Sequence, residues 1–493
     1  MREQAMRIHA QDTVAVALVP LQAGQTHCGV ALREDIAAGH KFALCAMAEG
    51  EPVVKYAAPI GHATRAIAAG AWVHTHNCAT SLSGIEHYTY APHAPAPRAC
   101  PYPARTFSGY LRADGRAGIR NELWIVPTVG CVNAAAQRLA ALATARVAHL
   151  LPDGVHAFPH PYGCSQLGGD HAMTQRLLAA MVRHPNAGGV LVLGLGCENN
   201  HIDAFRQVLG PVDGARVRFL ATQDVPDEIE TGLALLDELA AHAAADVRQP
   251  LPLAKLVIGL KCGGSDGFSG ITANPLLGAL SDALTASGGS TVLTEVPEMF
   301  GAETLLMDRC RDRATFDRAV ALIDDFKRYF QRYGQVIYEN PSPGNKEGGI
   351  STLEEKSLGC TQKGGTSQVV DVLDYGAAVS VPGLNLLSAP GNDLCAVTAL
   401  MAAGCQAVLF TTGRGTPLGA PVPTLKVSTH TGLAARKPGW IDFDAGPLLD
   451  GTPMDTLRDG LMDKLLAVAA GERARNEVNG DRQIAIFKDG VTL

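Results

Sequence analysis

The chain has 493 residues, of which 47% are hydrophobic and 18% charged, and its formal net charge is −7. This length exceeds what one hydrophobic core organises and predicts two to four domains, while the composition excludes an intrinsically disordered chain. The sequence contains no Lys/Arg-rich run, no apolar stretch long enough to cross a bilayer and no secretory leader pattern. We therefore expect neither a nucleic-acid partner nor a membrane partner.

Twelve cysteines are spread along the chain. Disulfide frameworks are typical of small secreted domains, which have a much higher density of cysteine. Several of these cysteines lie in glycine-rich segments. The pattern predicts a cytoplasmic protein whose thiols stay free for reactivity or for metal binding.

Residues 1–85 predict a small, mostly β domain. Strands are indicated at TVAVALVP, GVAL, FALCAM and VVKYAAPIG, and one short helix at ATRAIAAG. His74 and His76 stand at i and i+2 near the end of this region, so on a strand they would point to the same side. Such a pair suits iron, manganese or zinc, and two surface histidines are the alternative. Residues 86–105 are proline-rich and predict an extended, semi-stiff linker.

From residue 106 the pattern changes to alternating strands and helices. The apolar runs LWIVPTV and GGVLVLGLG are typical of strands buried on both faces, and helical patterns such as NAAAQRLAALATARVA and HAMTQRLLAAMVR lie between them. This predicts a second α/β domain over residues 106–248. Residues 249–493 repeat the alternation, with strands at LAKLVIGLK, STVLTEVP, AAVSVPG and QAVLFTTG, and predict a C-terminal domain with a mostly parallel sheet.

Four cysteines follow predicted strands in similar glycine-containing contexts, namely Cys131, Cys164, Cys197 and Cys262. The carboxyl ends of parallel strands are where α/β proteins bind ligands. The separations between these cysteines are too long for a local CxxC motif, so a shared metal or cluster would assemble only in the folded chain. The alternative is that each is a small buried hydrophobic residue.

The segment LKCGGSDGFSG combines four glycines with Lys261, Cys262, Ser265 and Asp266 directly after a buried strand. Glycine lets a backbone approach a ligand closely. We expect these side chains and the backbone N–H groups to surround a small anionic substrate and a metal.

Three further segments carry candidate binding groups. Residues 340–366 predict a long polar loop in which Lys346 and Lys363 could hold a carboxylate. Asn392 or Asp393 is placed to cap a helix. Arg414, Lys426 and His430 follow a predicted strand, and a guanidinium beside two glycines suits a carboxylate. Ordinary solvated loops and capping residues are the alternatives.

Several well-known motifs are missing from the sequence. It has no GxGxxG after a strand, no GxxxxGK[ST], no HExxH and no GxSxG. Nicotinamide-dependent transfer, ATP hydrolysis, zinc-protease activity and serine-hydrolase activity therefore lose support.

Long motifs resemble one family. GYLRADGRAGIRNELWIVPTVGCVN, HPYGCSQLGGD, LGLGCENN, TEVPEMFGAE and NPSPGNKEGG are similar to segments of the altronate/galactarate dehydratases, and the segment ending in GAWVHTHN resembles their N-terminal SAF (β-clip) domain. The resemblance implies a homodimer formed through the second domain, a Rossmann-like C-terminal domain, and a divalent metal, with Fe²⁺ expected first and Mn²⁺ second. It also implies loss of water from a small sugar acid, with altronate as the expected substrate. Galactarate dehydration, sulfolactate cleavage and a non-catalytic sugar-acid sensor are the alternatives.

Dehydration of an aldonate requires a base, an acid for the departing hydroxyl, and positive charge near the carboxylate. We expect the base to be Lys261 or Lys346, with His430 third; a lysine base needs a lowered pKa. The expected substrate-binding residues are Arg414, Lys426, Ser265 and Asn392. The expected metal ligands are His74, His76, Cys164, Cys197 and Asp266.

Overall fold

The computed structural model describes residues 3–93, 95–96 and 99–493. The first part of the chain consists of nine short strands: β1 (Ala5–Met6), β2 (Val14–Ala17), β3 (Thr26–His27), β4 (Val30–Ala31), β5 (Lys41–Ala43), β6 (Pro52–Lys55), β7 (Ala58–Ala63), β8 (Trp72–Val73) and β9 (Cys78–Ala79). They form an antiparallel sheet in the order β1-β2-β5-β8, a second sheet in the order β6-β7-β9, and the hairpin β3-β4. The prediction of a small β domain is confirmed.

The short helix predicted at ATRAIAAG is wrong. Strand β7 runs to Ala63, and Ile67 then forms a β-bridge with Met47. Gly70 has φ +80°, and a Cβ there would lie 2.0 Å from the carbonyl oxygen of Ala31. Pairing with neighbouring strands therefore overrides the helical preference of the alanines.

Between β9 and β10, the described residues form no helix or strand. Two tyrosines attach this stretch to the C-terminal part, because Tyr88 donates to the carboxylate of Glu303 and Tyr102 to that of Asp459. The predicted linker therefore contacts the C-terminal part of the chain at both tyrosines.

The second part contains a four-stranded parallel sheet in the order β13-β12-β14-β15 and a three-stranded antiparallel sheet in the order β11-β10-β16. Every residue of β12 and β14 is buried, as the apolar runs predict. The elements are β10 (Thr106–Leu111), β11 (Ala117–Gly118), β12 (Glu122–Pro127), α1 (Asn133–Val147), β13 (Val155–Ala157), α2 (Gly168–Val182), β14 (Ala187–Gly194), α3 (Ile202–Leu209), β15 (Val217–Ala221), α4 (Glu228–Ala243) and β16 (Gln249–Pro252).

The third part is built on a seven-stranded parallel sheet with helices packed on it. Its elements are β17 (Val257–Cys262), α5 (Ala273–Ala286), β18 (Ser290–Leu293), α6 (Glu303–Met307), α7 (Arg313–Arg332), α8 (Pro343–Glu347), α9 (Leu353–Thr361), β19 (Val369–Leu373), β20 (Leu384–Leu387), α10 (Asp393–Ala402), β21 (Ala407–Thr412), β22 (Thr424–Ser428), α11 (Thr431–Arg436), β23 (Phe443–Asp444), α12 (Met454–Ala469) and α13 (Arg475–Asn479).

The strand order of this sheet is β19-β20-β18-β17-β21-β22-β23. After β17 the chain adds strands on one side, and from β21 onward it adds them on the other. Ligands bind at such reversal points because the loops leaving the two central strands diverge and open a crevice. The loops after β17 and β21 are therefore the expected walls of a site.

Two predicted segments differ from the structure. Residues 340–366 contain the helices α8 and α9 and are largely buried, so the prediction of a long polar loop is wrong, and so is the alternative of a solvated loop. The strand predicted at AAVSVPG is also wrong, because that segment is a loop and the strand β20 begins directly after it. In the part of the chain that is described, no helix has the length and apolarity needed to cross a membrane.

Candidate active site

A cavity of about 690 Å³ opens at the carboxyl edge of the large sheet. Its walls include Asp266 from the loop after β17, Arg414 from the loop after β21, and His430 from the end of β22. Leu18 and Ala38 of the first domain form part of the rim. Three of the predicted site residues, far apart in sequence, thus meet at the reversal point.

Asp266 is held by neighbours from two loops. Its Oδ1 accepts from the backbone N–H of Phe268 at 3.1 Å and from the hydroxyl of Ser269 at 3.0 Å. Its Oδ2 accepts from the hydroxyl of Thr429 at 3.0 Å and lies 4.0 Å from Nε2 of His430. Burial raises the pKa of Asp266, while His430 and these donors oppose the shift.

His430 caps the helix α11. Its Nδ1 accepts the backbone N–H of Leu433 at 3.2 Å, which places the proton of the neutral imidazole on Nε2. The ring packs against Phe268, and the side chain is 29% exposed. The N–H of Nε2 is therefore held next to Asp266 at the cavity wall.

Arg414 is one of two arginines that line the cavity, and the other is Arg436. Its guanidinium donates to the carboxylate of Glu347 at 2.8 Å, and both side chains are largely exposed. A pair of this kind is weak and can exchange for another carboxylate. The preceding Gly413 packs tightly on Asp266, since a Cβ there would lie 2.1 Å from the Asp266 Cγ.

Two glycines near the cavity pack against the backbone of the first domain. A Cβ on Gly267 would lie 1.9 Å from the carbonyl oxygen of Gly39, and one on Gly349 would lie 2.4 Å from the same atom. The glycines of LKCGGSDGFSG were expected to let the backbone approach a substrate. At Gly267 the close approach is instead a contact between domains.

Buried ion pairs fix this contact. Glu355 of α9 accepts from Lys41 at 2.7 Å and from Lys55 at 2.8 Å, and all three side chains are almost completely buried. Burial alone would raise the pKa of Glu355, but the two ammonium groups outweigh it and lower the pKa to about 2. Sequence reasoning missed this cluster, because lysines on short strands of a small domain carry no sign that they will meet a carboxylate 300 residues away.

The two predicted histidine ligands belong to the same contact region. His74 is buried, and its Nδ1 lies 3.1 Å from the hydroxyl of Ser351. Burial, with help from Lys41 and His40, lowers the pKa of His74 to about 4. His76 is exposed beside the ring of Trp72. His74 thus contacts the third domain through Ser351, and it does not line the cavity.

Lys261 lies in a second, buried cluster below the sheet edge. Its ammonium donates to the carboxylates of Glu295 and Asp393 and to the carbonyl of Cys262. Burial by itself would lower the pKa of Lys261, but these carboxylates outweigh it and raise the pKa above its ordinary value. The lowered pKa expected of a lysine base is therefore not found, and the environment keeps Lys261 charged.

The same buried cluster contains two thiols. Cys262 Sγ lies 3.4 Å from Cys360 Sγ, and each sulfur lies 3.2 Å from the carboxylate of Glu298. Lys363 contacts Cys262 Sγ at 2.7 Å. A hydrogen bond with Cys262, followed by burial, raises the pKa of the Cys360 thiol well above its ordinary value.

Within residues 3–93, 95–96 and 99–493, the group of potential metal ligands found within 4.8 Å of one another is Cys262, Glu298 and Cys360. Two sulfurs and one carboxylate are donors that suit a borderline or soft divalent metal. The group is therefore compatible with a metal cofactor, provided that the ion displaces the ammonium of Lys363. The five predicted ligands do not form such a group, because they lie in three different regions of the fold.

The remaining predicted residues lie outside the cavity lining. Ser265 is buried, and its hydroxyl has no hydrogen-bond partner among the described residues. Asn392 is exposed and caps α10, and Lys346 is half-buried in α8. Lys426 is buried in β22; burial lowers its pKa to about 8, against the opposing effect of Asp442 and Asp481. Cys164 and Cys197 are exposed in the second domain.

These features define an α/β enzyme fold with a cavity lined by charged residues at the reversal point of a parallel sheet. Family models match consecutive parts of the chain: the altronate/galactarate dehydratase SAF domain at residues 3–81, the second domain of D-galactarate dehydratase/altronate hydrolase at residues 109–244, and the C-terminal domain of D-galactarate/altronate dehydratase at residues 253–492. The chain belongs to the altronate/galactarate dehydratase family.

Curated relatives match along nearly the whole length. The chain is 55% identical to the altronate dehydratase of Escherichia coli (strain K12), over 99% of this chain and 100% of the relative. It is 54% identical to the altronate dehydratase of Bacillus subtilis (strain 168), over 99% of both chains. Identity to the galactarate dehydratase (L-threo-forming) of Escherichia coli (strain K12) is 32%, over 98% of this chain and 96% of the relative.

Proposed function

We propose that this protein is a hydro-lyase that removes water from D-altronate and forms 2-keto-3-deoxy-D-gluconate. The observation that carries the proposal is the identity of 55% to a curated altronate dehydratase along the full chain. Galactarate is the second candidate substrate, and the lower identity of 32% to a galactarate dehydratase places it behind altronate. The cavity of about 690 Å³ is large enough for either sugar acid.

The reaction sets the requirements for the site. A base removes the proton at C2, next to the carboxylate, and the hydroxyl at C3 leaves as water after it receives a proton. The resulting enol tautomerises to the 2-keto product. The proton at C2 is weakly acidic, so positive charge and hydrogen-bond donors near the carboxylate supply a large part of the rate enhancement.

Asp266 and His430 support the two proton transfers. The raised pKa of the Asp266 carboxyl makes it a stronger proton acceptor than an exposed aspartate. His430 lines the same cavity with its Nε2 4.0 Å from Asp266, and we assign its Nε2–H to the departing hydroxyl, since Nδ1 is engaged by the helix cap. In this proposal His430 keeps a catalytic role as the acid, and Asp266, first expected as a metal ligand, becomes the base.

Arg414 is the proposed group for the substrate carboxylate. It lines the cavity, and its ion-pair partner among the residues that the structure describes is the exposed Glu347, which a substrate carboxylate can replace. Lys346, adjacent to Glu347, stays a prediction for the base, and Ser265, Asn392 and Lys426 stay predictions for substrate binding. We assign Lys261 a fixed positive charge below the cavity, in keeping with its carboxylate partners.

The proposed divalent metal is Fe²⁺, and Cys262, Glu298 and Cys360 are the residues that would hold it. Thiolate donors favour Fe²⁺ over Mn²⁺, which prefers oxygen ligands. When bound, such an ion supplies Lewis-acid stabilisation of negative charge.

The remaining expectations concern assembly and location. The second domain exposes Leu142, Leu150, Leu167 and Val208, which supports a homodimer formed through that domain. Free cysteines throughout the described chain support a reducing, cytoplasmic location. The parallel sheet with helices supports a Rossmann-like classification of the C-terminal domain.

The test is an anaerobic incubation of the full chain with Fe²⁺, a thiol reductant and either D-altronate or galactarate. We expect mass spectrometry to detect a product lighter than altronate by one water, and a carbonyl reagent to trap its keto group. If galactarate is turned over faster than D-altronate, galactarate is the substrate instead. Binding of both acids without product would instead indicate a sensor.

A further inference from the structure

Three cysteines in the second domain occupy equivalent positions on neighbouring strands. Cys131 follows β12, Cys164 follows β13, and Cys197 follows β14. These strands are adjacent and parallel in the order β13-β12-β14, so their carboxyl ends meet at one edge of the sheet. The proposed dehydratase mechanism uses none of these residues.

Hydrogen bonds join the three loops that carry these cysteines. The N–H of Gly130 donates to the carbonyl of Tyr162 at 2.8 Å, and the N–H of Asn200 donates to that of Gly163 at 3.0 Å. Glycine precedes each cysteine, and a Cβ on Gly163 would lie 1.9 Å from the carbonyl oxygen of Thr128. The backbone thus brings the cysteine-bearing loops into direct contact.

The thiols themselves are exposed, which is unusual for free cysteine. Of the other cysteines in the described chain, Cys78, Cys310 and Cys405 are buried outside any proposed ligand group, which fits a packing role. Conversely, a purely structural reason for three exposed thiols at one sheet edge is not apparent from their contacts. Their exposure leaves the sulfur atoms accessible to a ligand.

Each thiol also lies just before a helix. Helix α1 begins two residues after Cys131, α2 four residues after Cys164, and α3 five residues after Cys197. The N-terminal ends of helices stabilise negative charge, so three of them at one edge favour thiolates and an anionic ligand complex.

Two sulfurs already accept hydrogen bonds, and one nearby donor has no partner. Gln223 Nε2 donates to Cys197 Sγ at 3.5 Å, and the hydroxyl of Ser165 to Cys164 Sγ at 3.9 Å. Gln166 is buried; its Oε1 accepts from Gly163 next to Cys164, while its Nε2 has no hydrogen-bond partner in the described chain. A buried donor of this kind needs an acceptor that a ligand at the edge would provide.

The separation of the three sulfurs argues against one metal ion shared by all of them in this arrangement. The three sulfurs do not form a group within 4.8 Å of one another. A single tetrahedral metal with bonds of about 2.3 Å requires its sulfur ligands to be about 4 Å apart. An iron–sulfur cluster binds each sulfur to a different iron atom and therefore needs a wider spacing.

We propose that Cys131, Cys164 and Cys197 are the protein ligands of a [4Fe–4S] cluster in which the fourth iron has no protein ligand. A preassembled cluster would enter by ligand exchange: three Fe–S bonds to external thiolates break, three bonds to the cysteine sulfurs form, and each cysteine proton passes to a departing thiolate. No electron is transferred in this exchange. The proposal is independent of the dehydratase assignment, because cluster binding is measured without turnover.

The test uses the full chain and a synthetic [4Fe–4S] complex with small thiolate ligands, mixed under argon and then desalted. We expect about four iron and about four sulfide ions per chain, with visible absorption and, after reduction, an EPR signal of the cluster. Serine at all three positions (C131S/C164S/C197S) should reduce the retained iron at least tenfold. The matched control C28S/C45S removes two exposed thiols of the first domain and should retain the cluster.

Alkylation of the wild-type chain provides a second readout that does not depend on the folding of variants. With the cluster bound, peptides containing Cys131, Cys164 and Cys197 should be protected from iodoacetamide, while Cys28 and Cys45 should react. Retention of iron and sulfide by the triple variant would overturn the proposal. Failure of the wild-type chain to retain the cluster, or equal alkylation with and without it, would also overturn it.

Discussion

The open cavity around Asp266 and the buried cluster around Lys261 lie at the same edge of the same sheet, yet their chemistry differs. At the cavity wall, Arg414 has a replaceable partner, and Nε2 of His430 lies 4.0 Å from Asp266 in a side chain that is 29% exposed. In the buried cluster, lysine ammonium groups contact the carboxylates and the thiols. Residue types alone would mark both regions as catalytic. Access distinguishes the two regions, because Asp266, Arg414 and His430 line an open cavity, whereas Lys261, Cys262 and Lys363 are buried.

The largest effect is expected at His430. The substitution His430→Asn keeps a side chain that caps α11 well but removes the N–H at the position of Nε2. We expect kcat to fall about 10²–10⁴-fold, the usual contribution of a general acid or base. Steady-state formation of the keto-deoxy product measures this, and urea unfolding should show nearly unchanged stability. Near-normal kcat would remove His430 from the mechanism.

A substitution in the buried cluster should lower the free energy of unfolding. Replacing Lys363 by Met leaves Glu295 without one of its two buried ammonium partners. We expect a loss of about 3–5 kcal/mol in the free energy of unfolding, because an uncompensated buried charge remains. Urea denaturation followed by circular dichroism measures it. The control Arg414→Gln breaks an exposed pair and should cost about 1 kcal/mol or less. An equal loss of unfolding free energy in the two variants would contradict the proposed difference between the buried cluster and the cavity.

A smaller effect is expected from Arg414→Lys. The ammonium keeps the charge but cannot form the two parallel hydrogen bonds that a guanidinium makes to a carboxylate. Loss of one charged hydrogen bond corresponds to about a tenfold rise in KM. We expect kcat to change less than KM in the same product assay. An unchanged KM would place the substrate carboxylate elsewhere.

The smallest effect concerns pH and the contact between the first and third domains. The pKa of His74 is lowered from 6.5 to about 4 in the folded chain. Between these values the unfolded chain binds the proton and the folded chain does not, so the free energy of unfolding falls as the pH drops from about 6.5 to about 4. Burial also lowers the pKa of His40, which adds in the same direction.

The variant His74→Gln should therefore make this pH dependence less steep without abolishing it. Thermal unfolding at a series of pH values measures the slope. The lowered pKa of Glu355 acts in a lower window, since its stabilisation is lost only as the pH falls from about 4.5 toward about 2. A slope unchanged in the variant between pH 6.5 and 4 would show that His74 does not couple folding to pH.

The sequence by itself determined most of the architecture. Alternation of apolar runs and amphipathic helices predicted both α/β parts, because backbone periodicity and burial act over short distances along the chain. The same local signals placed Asp266, Arg414 and His430 after strands, where a parallel sheet collects its loops. Long motifs indicated the family.

Only the tertiary structure decided how charged groups pair. Residues 340–366 were predicted as a polar loop, yet Glu355, Lys356 and Lys363 are buried because each meets opposite charge from distant segments. For the same reason Lys261, next in sequence to Cys262, has a raised pKa rather than a lowered one. Electrostatic energy depends on distance in space and on the exclusion of water, and neither can be read from spacing along the chain.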